Sequence, residues 1–377
     1  MKILTVNHLL DPITGGGTAE RVVQLTQAWT TRGHACEVLT LDAGLTAERR
    51  AALAPAAVTA LRTVNRRFFV PLPAWTTIVN RVRAADLVHM MGHWTAINLL
   101  AAAAARQTGR PVVVCPAGAL RVDGRSRLLK RLYNAFGGGR AMREAAAWIA
   151  VSPIELPQYA IYGVAPDRVA VMPNGVDAAA FTRGDGARFR ARFGVPEGPI
   201  VLFVGRLAWS KGPDLLLDAF VNISHRLPAH QLVFVGTDEG MLTRLRDTAR
   251  ARGLAGRVHF PGYVGGGDKA DAYHAAAVLV LPSRYEAMSI VALEAGASGT
   301  PVLLTEGCGF DEVSAVGGGV VAPATVAGLE AALTALLSDA GALTAMGGRL
   351  QTVVRARYTW PEVAQRHLDL FARVLGD

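Results

Sequence analysis

The chain has 377 residues, a length that predicts two or three domains at roughly 150 residues per domain. Hydrophobic residues make up 51% of the chain and charged residues 18%, a balance that excludes an intrinsically disordered protein. The formal net charge is +9, and the three cysteines (Cys36, Cys115, Cys308) are widely spaced, which argues against a disulfide framework or a structural zinc site.

The first half of the chain alternates short apolar segments with helical patterns, as is typical of parallel β-α-β units. The predicted strands are Ile3–Asn7, Ala35–Leu41, Asp86–Met90, Pro111–Cys115, Trp148–Val151 and Val169–Met172. A helix is predicted over residues 18–31, because Val22, Leu25 and Trp29 share one face. The Pro-Asn-Gly sequence at residues 173–175 then predicts a turn at the end of a domain.

The second half repeats this alternation. The predicted strands are Ile200–Val204, Gln231–Val235, Val258–Phe260, Val278–Leu281 and Pro301–Leu304. The predicted helices are Pro213–Leu227, Met241–Gly253, Ser289–Ser298, Val326–Leu337, Leu343–Arg357 and Pro361–Leu375. The sequence therefore predicts an α/β fold of two Rossmann-like, doubly wound parallel-sheet domains facing a central cleft, where ligands bind outside the carboxyl ends of the strands.

Apolar segments and cysteine usage give an expectation for location. The longest strongly apolar stretch, residues 97–105, is about nine residues long, whereas a membrane-spanning helix needs about twenty. The apolar run at the N-terminus is too short for a secretory signal. Together with the unpaired cysteines, these features predict a soluble cytoplasmic protein.

The excess of positive over negative charge lies entirely in the first half. Residues 1–175 contain 20 basic and 10 acidic residues, whereas residues 176–377 contain 19 and 20. The basic residues concentrate at Arg62, Arg66, Arg67, Arg81 and Arg83, and at Arg121, Arg125, Arg127, Lys130, Arg131, Arg140 and Arg143. This pattern fits either a solvated basic face or a surface for anionic lipid or an acidic acceptor. Nucleic acid is not an expected partner, because no stacking aromatics alternate with the arginines.

The loop after strand 200–204 carries two cations between glycines. It reads Gly205-Arg206-Leu207-Ala208-Trp209-Ser210-Lys211-Gly212 and leads into a helix. Arginine binds a diphosphate bidentately, lysine acts as a point charge, and a helix N-terminus adds its dipole. The loop therefore predicts a diphosphate site, and the simpler alternative is an ordinary basic loop.

Two glutamates eight positions apart surround the start of another helix. Glu286 lies in the loop after strand 278–281, Ser289 is an N-cap candidate, and Glu294 lies about one and a half turns inside the helix. Free backbone N–H groups at this N-terminus suit a phosphate, and Glu294 could reach a pair of ribose hydroxyls. An acidic first turn stabilised by the helix dipole would explain Glu286 in part and Glu294 poorly.

Five segments of the chain resemble a known family. VGRLAWSKG, HFPGYV and the stretch PSRYEAMSIVALEAG resemble the donor half of the family-4 retaining glycosyltransferases, which have the GT-B fold. The spacing of Glu286 and Glu294 matches that family's most recognisable motif. Gly15-Gly16-Gly17 resembles its N-terminal glycine loop, and VMPNGVD resembles the segment that links its domains.

The resemblance implies a role for each matching residue. For the diphosphate, the resemblance implies binding by Arg206 and Lys211 beside Gly205, contacts from the amides near Ser289 and Ile290, and close backbone approach at Gly16 and Gly17. For the rest of the donor, it implies that Glu286 contacts the sugar, Glu294 the ribose and Tyr263 the base. Arg206, Lys211 and Glu286 are the catalytic candidates. No Asp-x-Asp pair occurs, which in this family fits transfer without metal or other cofactor.

The chain also departs from the family. Glu286 is followed by Ala-Met-Ser where the family often has Gly-Phe-Gly, so the sugar pocket is expected to differ. Ala117 stands where many members carry a histidine, and alanine cannot hydrogen-bond to a sugar or acceptor. In the front-face retaining mechanism of the family, the departing phosphate can itself accept the acceptor's proton, so the loss of a side-chain base need not abolish activity. His93 is the remaining candidate on the acceptor side, and a lone histidine there is more often structural.

The resemblance also implies a domain plan and a function. Residues 1–175 would form the acceptor-side domain, residues 176–357 the donor domain, and residues 358–377 a helix that returns to the first domain. The expected activity is transfer of a sugar from a nucleotide sugar to a glycan, lipid-linked or small-molecule acceptor. Alternatives are a nonhydrolysing nucleotide-sugar epimerase and a silent nucleotide-sugar-binding protein. A nicotinamide oxidoreductase is disfavoured, because the Gly-Gly-Gly-Thr sequence at residues 15–18 lacks the G-x-G-x-x-G spacing.

Overall fold

A computed structural model describes residues 1–11, 15–65, 69–72, 74–120 and 126–376. The chain divides into two compact units, one formed by Met1–Asn174 with Trp360–Asp377 and the other by Gly175–Thr359. Each unit contains a parallel sheet with helices, so the predicted fold class is confirmed. Four of the basic residues noted above, Arg66, Arg67, Arg121 and Arg125, lie outside the described residues.

The strands and helices are numbered in chain order. The strands are β1 (Lys2–Val6), β2 (Ala35–Leu41), β3 (Ala57–Leu61), β4 (Thr63–Asn65), β5 (Val70–Pro71), β6 (Leu87–Met91), β7 (Val112–Cys115), β8 (Ala147–Ala150), β9 (Val169–Val171), β10 (Ile200–Val204), β11 (Gln231–Val235), β12 (Val258–Gly262), β13 (Ala276–Leu281), β14 (Val302–Thr305) and β15 (Gly319–Ala322). The helices are α1 (Gly16–Thr31), α2 (Ala47–Ala52), α3 (Trp75–Ala84), α4 (Ala96–Thr108), α5 (Arg127–Tyr133), α6 (Gly139–Arg143), α7 (Leu156–Tyr159), α8 (Ala178–Phe181), α9 (Gly186–Phe193), α10 (Pro213–Ile223), α11 (Leu242–Ala251), α12 (Gly267–Ala275), α13 (Ile290–Ser298), α14 (Glu312–Ala315), α15 (Val326–Leu336), α16 (Ala340–Arg357) and α17 (Trp360–Leu375).

The first unit is built on a seven-stranded sheet in the order β3-β2-β1-β6-β7-β8-β9, with all of its pairs parallel. The strand order reverses between β1 and β6, and such a reversal opens a crevice at the carboxyl ends of the two strands. Helix α17 packs in this unit against α1, where Trp29 donates a hydrogen bond to the carbonyl of Ala364 (3.3 Å).

The second unit is built on a six-stranded parallel sheet in the order β12-β11-β10-β13-β14-β15. Strand β10 is central and reads IVLFV, and all five of its residues are buried, as expected for a strand covered on both faces. The order of this sheet reverses between β10 and β13, so the loops after these two strands lie at its switch point.

Most predicted elements agree with the structure within two residues at each end. The predictions missed strands β3, β4, β5 and β15 and helices α2 to α9, α12 and α14. They also extended α10 to Leu227 although it ends at Ile223, and they started α16 at Leu343 although it begins at Ala340. Within the described residues, no single helix is long and apolar enough to cross a membrane, although α15 and α16, which meet at a bend of 103°, pass such a test as a pair.

A buried arginine joins three segments of the first unit. Arg21 of α1 donates hydrogen bonds to the carbonyls of Met172 (2.9 Å) and Pro173 (2.8 Å) and to the Asn174 side chain (2.9 Å). Its guanidinium also lies 3.1 Å from Nε2 of His367 on α17. A buried charge is tolerated only with such partners, so Arg21 fixes the segment before the second unit to both helices.

His89 of β6 lies beside this group in an aromatic cluster. Its ring makes edge contacts with Trp29 and His367 and packs against Phe371. Neither ring nitrogen has a hydrogen-bond partner among the described residues. Burial, together with the nearby charge of Arg21, lowers the pKa of His89 to about 3, so the ring is neutral in the folded protein.

His89 therefore makes stability sensitive to acid. The unfolded chain binds a proton at His89 near pH 6.5, whereas the folded protein binds it only near pH 3. The contribution of His89 to the free energy of unfolding is therefore fully present above pH 6.5 and is lost as the pH falls from 6.5 towards 3. In the parent protein, His89 makes the free energy of unfolding fall by up to about 1.4 kcal/mol for each pH unit in this range, and we expect His89→Phe to abolish this part of the slope. Chemical unfolding at pH 7, 6, 5 and 4 measures the slope. The exposed His225→Phe is the control, and an unchanged slope in His89→Phe would contradict the assignment.

Candidate active site

The two predicted motifs of the second unit meet at its switch point. The loop at residues 205–212 follows β10, and the loop at residues 282–289 follows β13, the neighbouring strand across the reversal. Carboxyl ends of neighbouring parallel strands lie at the same edge of a sheet, which is where ligands bind in this architecture.

Gly212 allows the two loops to touch. Its φ is +67°, and a side chain at this position would collide with the carbonyl oxygen of Pro282 in the other loop. The amide of Arg284 then donates a hydrogen bond to the carbonyl of Ser210 (2.9 Å), which ties the loops together. Only glycine satisfies both the backbone conformation and the close approach.

Lys211 and Glu286 are brought into direct contact by this arrangement. The ammonium of Lys211 lies 2.8 Å from Oε1 of Glu286, and both side chains are largely buried. Ser283 donates a hydrogen bond to the other oxygen of Glu286 (3.3 Å), and the Glu286 amide donates to the carbonyl of Gly307 (2.7 Å). Two residues from separate motifs therefore form one site, and Ser283 is an addition that the sequence analysis missed.

Arg206 lies on the more exposed side of the same loop. Its guanidinium forms an ion pair with Glu239, in the loop after β11, at 2.5 Å, and the two side chains are 51% and 43% exposed. Exposed ion pairs are screened by water and contribute little, so the Arg206 guanidinium can exchange this partner for another anion. The sequence analysis did not identify Glu239, because the two loops are brought together only by the pairing of β10 with β11.

Arg284 fastens the first turn of α10 beneath this site. It donates two hydrogen bonds to the carboxylate of Asp214 (2.9 and 2.7 Å), and its guanidinium stacks 4.7 Å from the Trp209 ring. Burial raises the pKa of the Asp214 carboxyl, but the hydrogen bonds and charge of Arg284 outweigh it and hold that pKa below its usual range. The clamp fixes the backbone that carries Lys211.

Helix α13 directs its N-terminus to the same edge of the sheet. Ser289 is the N-cap residue, with an extended backbone (φ −82°, ψ 116°), and the helix begins at Ile290. The Ser289 side chain makes no capping hydrogen bond, which differs from what its residue type suggests. The first N–H groups of the helix therefore gain no acceptor from that side chain and suit an anion.

Glu294 is held by two residues of α12. Lys269 lies 2.5 and 2.7 Å from its two carboxylate oxygens, and the Tyr273 hydroxyl donates a hydrogen bond to it at 2.6 Å. Burial, followed by the charge of Glu294, raises the pKa of Tyr273 well above its usual value, so Tyr273 keeps its proton and donates. Lys269 and Tyr273 are four positions apart on one face of a helix that the sequence analysis did not predict.

Tyr263 follows β12, two strands away from β10 in the sheet. Its side chain is 68% exposed. A base contact for Tyr263 therefore stays a prediction.

The first unit holds the remaining candidates. Helix α1 begins at Gly16, whose φ of +54° favours glycine, and Gly17 is its second residue. Residues 12–14 of this loop lie outside the described residues. The roles of Gly16 and Gly17 stay predictions.

His93 follows β6 at the switch point of the first sheet, in an enclosed position. Its Nε2 lies 3.2 Å from Oδ1 of Asn134 and 3.3 Å from the Tyr162 hydroxyl, and Tyr133 donates a hydrogen bond to its carbonyl. Burial lowers the pKa of His93 to about 4, partly offset by the hydrogen bond to Asn134. The contacts favour the structural alternative, and a role toward an acceptor stays a prediction.

Ala117 has an unusual backbone conformation. Its φ is +49°, which is uncommon for a residue other than glycine, and Gly118 follows at +86°. The Gly118 amide donates a hydrogen bond to the buried carboxylate of Glu155, which also accepts one from the Val151 amide (2.6 Å). Burial raises the pKa of Glu155, and these amides partly offset the rise. The sequence analysis missed Glu155, which holds the loop that carries Ala117.

The described residues contain no group of three or more His, Cys, Asp or Glu side chains arranged to hold a metal ion. The candidate site in the second unit contains the cations Arg206, Lys211 and Lys269 and the N-terminus of α13.

Solved structures define the class of fold. A structure of Anabaena Alr3699/HepE in complex with UDP superposes with a TM-score of 0.82 at 20% identity, covering 99% of this chain and 100% of that one. The structure of WaaG, a glycosyltransferase involved in lipopolysaccharide biosynthesis, gives a TM-score of 0.74 at 19% identity, covering 98% and 99%. The fold is therefore that of the GT-B glycosyltransferases.

Sequence matches define the family. Residues 187–350 match Glycosyl transferases group 1, and residues 15–180 match Glycosyltransferase Family 4. The D-inositol 3-phosphate glycosyltransferase of Frankia alni is 32% identical over 326 residues, which are 78% of each chain. The chain belongs to the group 1, family-4 glycosyltransferases.

Other curated relatives match over shorter regions. The D-inositol 3-phosphate glycosyltransferase of Acidothermus cellulolyticus is 41% identical over 152 residues (38% of this chain, 34% of that protein). The mannosylfructose-phosphate synthase of Agrobacterium fabrum is 39% identical over 168 residues (42% and 37%). These two proteins and two further D-inositol 3-phosphate glycosyltransferases are each matched over 34% to 54% of their own length.

The contacts of Glu294 lead to a prediction about stability. Lys269→Met removes the charged partner of a nearly buried carboxylate, so we expect the free energy of unfolding to fall by about 1–3 kcal/mol. Glu294→Gln should recover much of this loss in the double variant, because the amide needs no counter-ion and still accepts from Tyr273. Chemical unfolding of both single variants and the double variant measures the coupling. Strictly additive losses would contradict the ion pair.

Proposed function

We propose that this protein is a retaining glycosyltransferase that transfers a sugar from a nucleoside-diphosphate sugar without a metal ion. The observation that carries the proposal is the convergence of Arg206, Lys211 and the N-terminus of α13 at the switch point of the second sheet. Three independent sources of positive potential at one edge suit a diphosphate.

The charges at this site match the chemistry of transfer. The leaving diphosphate gains negative charge as the bond to the sugar breaks, so fixed cations stabilise the transition state more than the ground state. A bound diphosphate would compete with Glu239 for Arg206 and with Glu286 for Lys211. Once it is displaced from Lys211, Glu286 would be able to accept hydrogen bonds from sugar hydroxyls, as the family resemblance implies.

Glu294 remains the candidate for the ribose. A carboxylate has about four lone-pair positions, and Lys269 and Tyr273 leave room for a further donor. We propose that α12 and α13 together form the nucleoside side of the site, with Lys269 orienting Glu294.

The names of similar proteins suggest the first ligands to test. Structures of the Anabaena protein contain UDP, UDP with glucose, and UDP-glucose. Curated relatives are named for D-inositol 3-phosphate and for mannosylfructose phosphate. We therefore propose a UDP-sugar as donor and a phosphorylated polyol or sugar as acceptor, with glycan and lipid-linked acceptors as further candidates.

A ligand screen followed by product analysis tests this function. UDP, GDP and ADP and their sugars are compared by thermal shift, since a ligand at 100 times its Kd stabilises by about 2.7 kcal/mol. The anomeric configuration of the product, measured by NMR, tests retention, and activity unchanged in excess EDTA tests metal independence. Isomerised donor without transfer would indicate an epimerase, and binding without hydrolysis or transfer would indicate a silent binding protein.

Substitutions at the two cations test the proposed roles. We expect Arg206→Ala and Lys211→Ala each to lower kcat by about 10²–10³, with a smaller loss of donor affinity, because each group acts mainly on the leaving diphosphate. The double variant should lose less than the product of both effects, since both cations serve one group. Single-turnover rates and donor titrations measure these effects.

An exposed arginine elsewhere in the second unit provides the control. Arg252→Ala should retain full activity, because Arg252 lies on the surface at the end of α11. Full turnover in both Arg206→Ala and Lys211→Ala, with the donor identified, would show that the diphosphate binds elsewhere.

A further inference from the structure

The segment from Arg127 to Phe136 has its apolar face on the outside. Leu128, Leu129, Leu132 and Phe136 are 70%, 53%, 43% and 80% exposed. Leu128, Leu132 and Phe136 are spaced four apart, so they share one side of a helical segment, and Leu129 flanks them. These four side chains are here called the outward face.

The opposite side of the segment is the one attached to the protein. Lys130 lies 5.3 Å from the centre of the Trp94 ring, and the single hydroxyl proton of Tyr133 is shared between the carbonyls of His93 and Thr95 (3.2 Å for Thr95). Asn134 donates to the Tyr162 hydroxyl (3.2 Å). Polar and aromatic anchors therefore hold the segment down, the reverse of a surface helix that packs its apolar stripe on the core.

Glycines fix the exposure of Phe136. Gly137 has a φ of +131°, which breaks the helical path directly after Phe136. A side chain at Gly138 would collide with the ring of Tyr133, so glycine at this position lets the anchor pack. The backbone thus holds Phe136 away from the protein surface rather than folding it inward.

Basic residues predominate around the outward face. Residues 126–143 contain five basic residues and no acidic residue (Arg127, Lys130, Arg131, Arg140, Arg143). Arg140 is paired with Glu144 at 2.7 Å, and Arg127 and Arg131 are exposed beside the outward face. Four large apolar side chains flanked by arginines suit the surface of an anionic bilayer, where apolar groups contact acyl chains and arginines contact the headgroup phosphates.

We infer that the outward face docks on the surface of an anionic lipid bilayer, with Leu128, Leu129, Leu132 and Phe136 inserted below the headgroups and Arg127 and Arg131 among the phosphates. The excess positive charge of residues 1–175 adds long-range attraction to the same surface. Insertion of the apolar side chains and attraction of the basic residues to anionic lipid act together, because neither contribution alone gives stable membrane binding. This inference does not depend on the proposed reaction.

Vesicle sedimentation of the full chain tests the docking. We expect binding to phosphatidylcholine vesicles with about 30 mol% phosphatidylglycerol to exceed binding to pure phosphatidylcholine at least tenfold. Binding should fall as NaCl rises from about 50 to about 500 mM, because the Debye length shortens. Equal binding to both vesicle types, or no binding to either, would overturn the inference.

Two sets of variants assign the binding to this face. Leu128→Ser/Leu132→Ser/Phe136→Ser and Arg127→Glu/Arg131→Glu should each reduce binding to anionic vesicles at least tenfold. Val64→Ser/Ile161→Ser changes two exposed apolar residues of the same unit, and Arg183→Glu/Arg252→Glu makes the same change in net charge in the other unit. Both controls should bind as the parent does, and equal losses in variants and controls would overturn the assignment.

A conservative variant tests insertion directly. Phe136→Trp keeps an apolar ring, and its emission should shift to the blue and be quenched by anionic vesicles with brominated acyl chains. Absence of quenching while the protein is bound would exclude insertion. The alternative occupant of the outward face is a second copy of the chain, and sedimentation equilibrium without lipid tests it. If the protein self-associates, and the Leu128, Leu132 and Phe136 triple variant loses self-association but binds vesicles as before, the face is a protein interface and the inference is overturned.

Discussion

The site in the second unit depends on one close approach between backbones. Gly212 lies so near the carbonyl of Pro282 that no side chain fits, and this contact joins the loops after β10 and β13. Arg284 secures the contact from below by holding both Asp214 and the carbonyl of Trp209 (2.7 Å). With these contacts in place, Lys211, the last residue of a short 3₁₀ helix (Trp209–Lys211), reaches Glu286 in the neighbouring loop.

The cations of the site are paired with carboxylates of unequal accessibility. The Arg206–Glu239 pair is about half exposed and the Lys211–Glu286 pair is largely buried, whereas Lys269 is paired with a nearly buried Glu294. Exchange of a partner is cheap where water already screens the pair and costly where it does not. Under the proposed function, an entering diphosphate would engage Arg206 first and Lys211 second, while the Lys269–Glu294 pair stays intact.

Much of the fold and part of the site could be predicted from the sequence. Apolar runs such as Ile200–Val204 are clear signals because a parallel strand buried on both faces is almost continuously apolar. The spacing of Glu286 and Glu294, and the loop carrying Arg206 and Lys211, gave the residues of the site from local sequence alone. Helix α12 was not predicted because its sequence, GDKADAYHA, has no clear apolar stripe.

The residues that the sequence analysis missed share a physical cause. Glu239, Lys269 and Tyr273 act through contacts with residues 21 to 33 positions away, and no local pattern encodes such pairings. Glu155 stands 37 positions from the Gly118 amide that it accepts from. Spacing within one element is readable from sequence, whereas the loops that two strands bring together depend on sheet order.

The first unit shows how strongly the environment redefines a residue type. His89 and His93 both lie in or just after β6, and both are neutral because burial lowers their pKa values to about 3 and about 4. The sequence made His93 a candidate on the acceptor side, but the surroundings of both rings are aromatic side chains and fixed polar groups. His93 is further fixed by Tyr133, the same side chain that anchors the segment carrying Leu128, Leu132 and Phe136. Tyr133 therefore takes part both in enclosing His93 and in attaching the segment that carries the exposed apolar residues.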